Sequence, residues 1–341
     1  MATHFSKRDA IRLLGAAAVL PLAGAARATG AVRMRTIIDN DFGGDPDGLF
    51  QLAHHALSPS VEIPLVISSH LHPNESWIGD KQVAAGGARE ANALLDLLAL
   101  SRRPTVIAGA EAAIAGRSQW KPSAATAAIV REAMRSDTTM PLYYCAGASL
   151  TELALAWLVE PRIASRMILV WIGGGEYPGV ATPAAGAATA EYNLTIDTIA
   201  AQIIFNESDF DIWQVPRDAY RQLLFSNAEL AEVGAAGKVG AYLNERVMRI
   251  PALLDRKSNG KMPGLGETYI MGDSPLVTLT ALQSSFQPDP SSSDYVLTPC
   301  PRITDDGLYQ DHSAGRRIRV YRRIDVRLTF ADMIAKFRKA G

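Results

Sequence analysis

An apolar run passes into closely spaced aspartates in the stretch Ile37-Ile38-Asp39-Asn40-Asp41-Phe42-Gly43-Gly44-Asp45-Pro46-Asp47-Gly48. The isoleucines belong to a β-rich run that begins at Met34, which indicates a buried strand. In an open parallel sheet, ligands bind outside the carboxyl ends of the strands, so the aspartates are expected at a ligand site. Two adjacent glycines allow the sharp turn that would bring the four carboxylates together.

These four carboxylates repel one another unless positive charge lies among them. A hard divalent cation, which prefers oxygen ligands, suits such a cluster. The alternative is a solvated acidic turn that also caps a helix starting near Gly48, because Asp favours turns and N-caps. The chain has two cysteines, too few for a thiolate metal cluster, so a metal would need oxygen or imidazole ligands.

Outside this stretch, apolar β-rich runs alternate with helical patterns. Strands are predicted at 34–38, 63–67, 105–108, 142–145, 167–172 and 210–215. Helices are predicted near 48–57, 80–100, 123–136, 149–159, 197–206 and 227–246. This alternation indicates an α/β fold with a mostly parallel central sheet flanked by helices. No internal repeat or linker interrupts it, so one domain is expected over residues 29–341.

The alternation of strand and helix patterns ends after Pro288. Short strands are predicted at 295–297, 317–321 and 326–328, followed by a final helix from about residue 330. A segment this small buries little core alone, so it is expected to form a small β-rich C-terminal portion of the same domain.

Residues 1–28 have the pattern of an export signal. They combine the basic start Ser6-Lys7-Arg8-Asp9, an Ala-rich apolar stretch and the ending Ala26-Arg27-Ala28. The segment resembles a twin-arginine signal with Lys7 in place of the first arginine, and the Sec route stays open. A buried N-terminal helix is the alternative. A periplasmic or secreted protein is expected, in which Cys145 and Cys300 could pair, although Cys145 also suits a buried apolar position.

The overall charge excludes several classes of partner. The 341 residues include 34 Lys and Arg against 35 Asp and Glu, a net charge of −1, with 20% charged residues. Nucleic acids and anionic membranes attract proteins with basic patches, which this composition does not suggest. We therefore expect no nucleic-acid partner and, after signal cleavage, no membrane association.

Four segments resemble the inosine-uridine preferring nucleoside hydrolase family. The first is Asp39-x-Asp41-x-Gly43-x-Asp45-x-Asp47, similar to the longer form of the family's N-terminal signature. Segments 147–154, 191–201 and 272–276 are similar to the family's Gly-Pro-Leu-Thr-Asn-Leu-Ala, Glu-Phe-Asn-x-x-x-Asp-Pro-Glu-Ala-Ala and His-Asp-Pro-Leu. The resemblance covers essentially the whole mature chain and implies the family's Rossmann-like fold.

The resemblance also implies an activity and a site. It implies cleavage of ribonucleosides to free base and ribose, one calcium ion per subunit, and a homo-oligomer, either a dimer or a tetramer. The implied metal ligands are Asp41, Thr151 through its backbone carbonyl, and Asp273, and Asp41 is also the residue that would activate water. The residues implied to bind the sugar are Asp47, Asn74, Glu191 and Asn193.

Two positions depart from the family pattern. Gly48 replaces the last aspartate of the signature, so either Asp45 or Asp47 takes over its metal ligation or the metal binds weakly. Gly272 replaces the histidine that helps some members protonate the leaving base. A different acid is then needed, and His70 and His72, which follow the second predicted strand, are the candidates.

Other interpretations remain at this stage. Ser149-x-x-Glu152 has the pattern of a capping box, which would make Thr151 an ordinary first-turn residue, and Asp197 suits an N-cap. The strand-end Asp39-x-Asp41 also resembles that of metal-dependent phosphatases. An exported relative that binds nucleosides or sugars without cleaving them is a further alternative.

Overall fold

The strands of the protein follow the apolar runs of its sequence. The computed structural model describes residues 32–186, 190–258, 261, 264, 266–284, 286 and 289–340, so the predicted export signal at 1–28 lies outside the described residues. The strands are β1 (Met34–Asn40), β2 (Val61–Ser68), β3 (Thr105–Ala108), β4 (Leu142–Ala146), β5 (Ile168–Ile172), β6 (Asp211–Val215), β7 (Leu224–Ser226), β8 (Thr268–Ile270), β9 (Asp294–Pro299), β10 (Arg302–Ile303), β11 (Tyr309–Gln310) and β12 (Arg317–Arg323). The six strands predicted up to residue 215 are confirmed.

Eight of these strands form one sheet in the order β3-β2-β1-β4-β5-β6-β12-β9. The strands from β3 to β12 pair in parallel, and β9 pairs antiparallel with β12 at the edge. Every residue of β1 is buried, as expected for a strand covered on both faces. The predicted mostly parallel α/β fold is confirmed. The strand order reverses between β1 and β4, where such sheets form their ligand crevice.

Helices connect the strands. They are α1 (Asp47–Ala56), α2 (Val83–Leu97), α3 (Thr126–Ala133), α4 (Thr151–Val159), α5 (Tyr192–Ile196), α6 (Thr198–Gln202), α7 (Arg217–Tyr220), α8 (Asn227–Ala235), α9 (Lys238–Met248), α10 (Ile250–Ser258), α11 (Pro275–Thr278) and α12 (Val326–Ala340), with a 3₁₀ turn at Pro161–Ser165 and a π-helical turn at Ile203–Glu207. The single helix predicted near 227–246 is two helices, separated at Gly237 by a φ of 147° that favours glycine. Among the described helices, none is long and apolar enough to cross a membrane.

The sheet divides the apolar core into two layers. Consecutive residues of a strand point to opposite faces, so Tyr144 packs in one layer and Cys145 in the other. Cys300 lies in the same layer as Tyr144. Both cysteines are buried free thiols, and the suggested pairing is not formed because the sheet lies between them.

The C-terminal segment forms the predicted small β-rich portion of the same domain, in which strands β9 and β12 extend the main sheet. One of its elements differs from the prediction. Residues 326–328, predicted as a strand, are the first turn of α12. Asp325 explains this turn, since its Oδ1 accepts the Leu328 N–H at 2.9 Å and its backbone carbonyl accepts the Thr329 N–H at 3.0 Å. Capping by Asp outweighs the weak β-propensity of Val326.

Candidate active site

A cavity of about 500 Å³ opens at the carboxyl ends of β1, β4 and β5, beside the point where the strand order reverses. Its volume is in the range of small-molecule sites. Its lining combines carboxylates with aromatic and aliphatic side chains: Asp41, Asp45, Asp47, Gly147, Ile172, Glu191, Tyr192, Asn193, Tyr220, Leu224, Thr268, Tyr269, Ile270, Gly272 and Asp273. The structure therefore brings together six of the residues predicted from sequence.

The aspartate stretch forms a tight turn between β1 and α1. The Gly44 N–H donates to the Asp41 carbonyl at 2.6 Å, and Pro46 occupies the N-cap position of α1. Gly43 is required by close packing, because a Cβ there would lie 2.8 Å from both Val83 Cγ1 and the Val83 carbonyl oxygen. The turn presents Asp41, Asp45 and Asp47 to the cavity.

Burial and mutual repulsion disfavour the charged forms of these carboxyls. Burial, followed by the charges of Asp273 and Asp45, raises the pKa of Asp41. Burial also raises the pKa of Asp47, with the charge of Asp273 as the next cause. For Asp273, burial raises the pKa to about 8, opposed by a hydrogen bond from Asn40. A cation bound in the cavity would offset this repulsion and favour the charged forms of the carboxyls.

Hydrogen bonds from several elements hold the carboxylates in place. The Tyr269 hydroxyl, on β8, donates to Asp45 Oδ2 at 2.5 Å. The backbone N–H of Asp273 donates to Asp47 Oδ2 at 3.1 Å. The amide of Asn40 donates from Nδ2 to Asp273 Oδ2 at 2.8 Å and accepts the Asp41 N–H at Oδ1 over 2.9 Å. Asn40 therefore links the aspartate turn to the segment that carries Asp273.

The donor set suits a hard cation, since buried carboxylate oxygens are the ligands that calcium prefers. In the structure, the carboxylate oxygens of Asp45, Asp273 and Asp47 accept hydrogen bonds from Tyr269, Asn40 and the backbone, respectively. Within the described part of the chain, no group of three or more His, Cys, Asp or Glu side chains is gathered around one point as a metal site. A cation would have to displace or share some of these hydrogen bonds.

The opposite wall carries the Glu191 and Asn193 side chains. Glu191 caps α5, and its Oε2 accepts the N–H groups of Gly174 at 2.7 Å and Leu194 at 3.1 Å. Its Oε1 accepts the Tyr220 hydroxyl at 2.9 Å. Burial raises the pKa of Glu191 despite these donors.

The amide of Asn193 is similarly fixed. Its Nδ2 donates to the carbonyls of Gly147 at 3.1 Å and Ile172 at 2.8 Å, beyond the ends of β4 and β5. Both amide hydrogens are therefore used, and Oδ1 is the atom left to accept a hydroxyl from a ligand.

Three predicted residues lie elsewhere. His70, His72 and Asn74 line a second cavity of about 560 Å³. The ring of His70 bonds to the Leu71 carbonyl and to Thr151 Oγ1, at 2.9 and 3.0 Å. The His72 ring packs edge-on against Tyr192, 5.0 Å between ring centroids. Neither histidine is among the residues that line the aspartate cavity, and their role as acids stays a prediction.

Asp39 and Thr151 also lie outside the lining of the main cavity. Asp39 does not converge with the other aspartates, because it accepts hydrogen bonds from Ser69 and, at 2.5 Å, from Tyr144. Burial and the charge of Glu152 raise its pKa to about 7. Thr151 is the first residue of α4, and its hydroxyl donates to Asp197 Oδ2 at 2.8 Å.

The capping interpretations have different outcomes. Asp197 is confirmed as an N-cap, since its Oδ1 accepts the Ala200 N–H at 2.9 Å. The Ser149 to Glu152 capping box is wrong. Glu152 instead reaches the Ala110 N–H, at 2.7 Å, and Ser123, and α4 begins after Leu150 without a side-chain cap.

Sequence reasoning missed Asn40, Tyr220 and Tyr269. Asn40 lies between Asp39 and Asp41, so its position in the aspartate motif could have identified it. The tyrosines lie on α7 and β8, far along the chain, and only the packing of these elements over the cavity reveals them.

The fold and the acidic crevice define a protein of the nucleoside hydrolase fold. A purine-preferring ribonucleoside hydrolase from Gardnerella vaginalis superposes with a TM-score of 0.69 at 16% identity, covering 90% of this chain and 98% of that one. A plant nucleoside hydrolase superposes with a TM-score of 0.66 at 16% identity, covering 90% and 99% of the two chains. At this identity the similarity shows the fold.

Comparison of the sequence with family profiles identifies the family. The profile of the inosine-uridine preferring nucleoside hydrolases matches residues 36–328, and the chain belongs to this family of N-glycosyl hydrolases. It is 39% identical over 96 residues to an inosine-uridine preferring nucleoside hydrolase of Leishmania major, and 46% identical over 67 residues to one of Crithidia fasciculata. These segments span 28% and 19% of this chain, and 29% and 18% of the two relatives.

Proposed function

We propose that this protein hydrolyses the N-glycosidic bond of ribonucleosides, releasing free base and ribose. The proposal rests on one observation: a single cavity, where the strand order of the sheet reverses, is lined by Asp41, Asp47, Asp273 and Glu191. Cleavage of a glycosidic bond passes through a cation-like sugar, which nearby carboxylates stabilise. The aromatic and aliphatic lining would enclose the base.

Asp41 is the residue we assign as general base. Burial and then the charges of Asp273 and Asp45 raise its pKa, so its carboxylate would be a stronger base than an exposed one once a cation in the cavity lets it ionise. The attacking water would transfer its proton to Asp41 as its oxygen bonds to the sugar. Asp47, Glu191 and Asn193 would bind the sugar hydroxyls, and Asn74 would do so only if the segment around it moved.

We further propose one calcium ion in this cavity, held by Asp41, Asp45, Asp273 and the Thr151 carbonyl, with Asp47 beside them. When bound, calcium supplies positive charge that lets these carboxylates ionise together and polarises coordinated oxygens. The hydrogen bonds from Asn40 and Tyr269 would keep Asp273 and Asp45 in position.

The decisive experiment is replacement of Asp41 by Asn. We expect base release from a mixed ribonucleoside pool with calcium, followed by mass spectrometry, to fall by about 10²–10⁴-fold, the usual contribution of a general base. Asp96→Asn is the matched control, since this aspartate is exposed and pairs with Arg103 outside the cavity. If ribonucleosides bind to the parent protein and none is cleaved, the non-catalytic alternative is correct.

Calcium binding has a readout independent of turnover. A ligand that binds only the folded state stabilises it by about 2.7 kcal/mol at 100 times its Kd, so calcium should raise the melting temperature and EDTA should reverse the shift. The Asp273→Asn variant should lose most of this shift, and Asp96→Asn should keep it. An unchanged melting temperature at millimolar calcium would contradict the proposed site.

We also propose that residues 1–28 direct export to the periplasm or beyond, and that residues 29–341 act as one domain in a homo-oligomer. Cell fractionation with mass determination of the mature chain, and light scattering of the purified protein, test these proposals.

A further inference from the structure

A hydrogen-bonded network connects Glu191 to residues outside the lining of the main cavity. Its members come from the loop after β5, the strand β6 and the strand β11: Gly173, Gly174, Tyr177, Gln214 and Tyr309. Gln214 and Tyr177 are buried. None of the five is among the described residues that line the cavity, so any effect they have on a ligand must pass through Glu191.

The peptide group between Gly173 and Gly174 is held at both ends. Its carbonyl, on Gly173, accepts a hydrogen bond from Gln214 Nε2 at 2.8 Å. Its N–H, on Gly174, donates to Glu191 Oε2 at 2.7 Å. A peptide group is planar, so fixing its carbonyl also fixes the direction of its N–H. Gln214 therefore sets the direction of a donor that holds Glu191.

Two tyrosines orient the amide of Gln214. Its Oε1 accepts the Tyr177 hydroxyl at 2.5 Å, and its Nε2 donates to the Tyr309 hydroxyl oxygen at 2.7 Å in addition to Gly173. If the amide turned over, its oxygen would face the Gly173 carbonyl and that hydrogen bond would be lost. The tyrosines therefore keep the amide in the orientation that holds the peptide group.

Gly174 shows how closely these groups pack. Its φ of 85° lies in the left-handed region, and an added Cβ would overlap the Tyr309 hydroxyl oxygen and Gln214 Nε2. Glycine suits both the backbone angle and the space. The Tyr309 ring packs against the Tyr177 ring, with 4.5 Å between the centroids. The β-rich C-terminal portion thus reaches the loop that contacts Glu191.

The two oxygens of Glu191 have different surroundings. Oε2 accepts two backbone N–H groups, from Gly174 and Leu194, whereas Oε1 accepts the Tyr220 hydroxyl. A carboxylate oxygen has two lone pairs, so Oε2 is fully used and Oε1 is the oxygen left to accept a further hydroxyl. Glu191 and Tyr220 both line the cavity, which makes Oε1 accessible to a ligand.

We propose that Gln214 and Tyr309 are positioning residues for Glu191, whose Oε1 then accepts a hydroxyl of the ribose. This inference rests on the proposed function of the same cavity. The two residues hold the peptide group that anchors Oε2, and the anchored carboxylate keeps Oε1 directed at the sugar. Without the Tyr309 hydroxyl, the Gln214 amide is free to turn, and the carboxylate loses a fixed donor.

Tyr309→Phe tests the proposal in the full-length protein, because it removes one hydroxyl and keeps the ring against Tyr177. Inosine, uridine, adenosine and guanosine are assayed with calcium, and the nucleoside that the parent protein cleaves fastest is used. We expect kcat/KM to fall by about three- to tenfold, the usual effect of losing one hydrogen bond.

Tyr143→Phe is the matched control. The Tyr143 hydroxyl also accepts a hydrogen bond from a glutamine, Gln283 Nε2 at 3.3 Å, but the residue packs in the other layer of the core. This variant should keep kcat/KM within about twofold of the parent value. An equal loss in both variants would contradict a specific role for Tyr309.

A double-mutant cycle separates positioning from a general structural effect. Glu191→Asp keeps the charge and an N-cap for α5, but it withdraws the carboxylate from Gly174 and from the sugar. In this background Tyr309→Phe should change kcat/KM by less than about twofold, because the contact it directs is already lost. If turnover is too slow to measure, the Kd of the same nucleoside is determined by calorimetry for the four members of the cycle.

The outcomes distinguish the two proposals. If Tyr309→Phe is as active as the parent protein, or if it costs the same factor in the Glu191→Asp background, the positioning role is wrong while the hydrolase function stands. If the parent protein cleaves none of the four nucleosides, the proposed function fails and this inference falls with it.

Discussion

Asn40 packs closely against two glycines and bonds to the aspartate segment at 273. Its amide lies against both Gly48 and Gly147, where an added Cβ would come within 2.8 and 2.5 Å of Nδ2. Its Nδ2 also donates to Asp273, and to Gln51 Oε1 at 3.4 Å. Gly48 therefore makes room for the Asn40 amide.

Gly48→Ala tests this arrangement. Alanine favours a helix over glycine by about 1 kcal/mol, but its Cβ would push the Asn40 amide away from Asp273 and leave buried polar groups unpaired, at about 1–3 kcal/mol. We expect a net loss of stability in urea unfolding. Gly116→Ala is the control, because its nearest neighbour atom would lie 3.7 Å away. In the Asn40→Ala background the same substitution should cost less, and an equal cost would contradict the proposed clash.

Single residues were only partly predictable. Asp41, Asp45, Asp47, Glu191, Asn193 and Asp273 line the cavity as a recognisable motif predicts. His70 and His72 do not, although they follow a strand end as the sequence indicates. The difference is their side-chain orientation, which depends on Thr151, Thr195 and Tyr192 and not on local spacing.

At the scale of the element, helix α1 carries a buried histidine network. His55 Nε2 contacts Thr280 Oγ1 at 2.8 Å, and its Nδ1 contacts Gln51. Burial is the largest cause that lowers the pKa of His55 well below its ordinary value, followed by the charges of His54 and Lys336. The helix therefore packs against α11 and the loop after it with a neutral imidazole.

The network predicts a loss of stability in mild acid. The unfolded chain binds a proton at His55 near pH 6.5, and the folded chain does not, so the free energy of unfolding falls as the pH drops below that value. Between pH 7 and 5 this group should lower the free energy of unfolding by at most about 2 kcal/mol, the limit for an imidazole that stays neutral in the folded chain. The free energy of unfolding of His55→Gln, measured by urea unfolding at each pH, should fall less steeply with decreasing pH than that of the parent protein. His312→Gln, in the loop before β12, is the control, and parallel slopes for both variants would contradict the prediction.

Elements as a whole were predicted well where the apolar periodicity is long, as in β1, β5 and α2. The errors fell at residues 326–328 and at Gly237, where a cap and a single backbone angle decide the outcome. Such features involve one or two residues, so the averaged pattern does not show them.

For the whole molecule, the sheet separates two cores and with them the two thiols. Burial raises the pKa of Cys300 to about 11 and raises that of Cys145 further from its ordinary range, so both sulfurs stay protonated and unreactive.

A thiol assay follows from this separation. Native protein prepared without reductant should react slowly with a thiol reagent, and two thiols per chain should react at once in denaturant. Cys145→Ala should reduce the denatured count to one. A native preparation that yields no thiols after denaturation would show an intramolecular disulfide and would contradict the two-layer arrangement.

The sequence alone determined the alternating α/β architecture, the strand-end aspartates and the family, because these depend on periodicity and on motifs that are local in the chain. The tertiary structure decided which side chains share the cavity. The cavity also receives Tyr220, Tyr269 and Asp273, which lie more than a hundred residues along the chain from the aspartate turn at 41–47. Hydrogen bonds to other partners hold His70 and Asp39 outside the lining of this cavity. Hydrogen bonding and packing between distant elements set side-chain direction, and this information is not present in the spacing of residues along the chain.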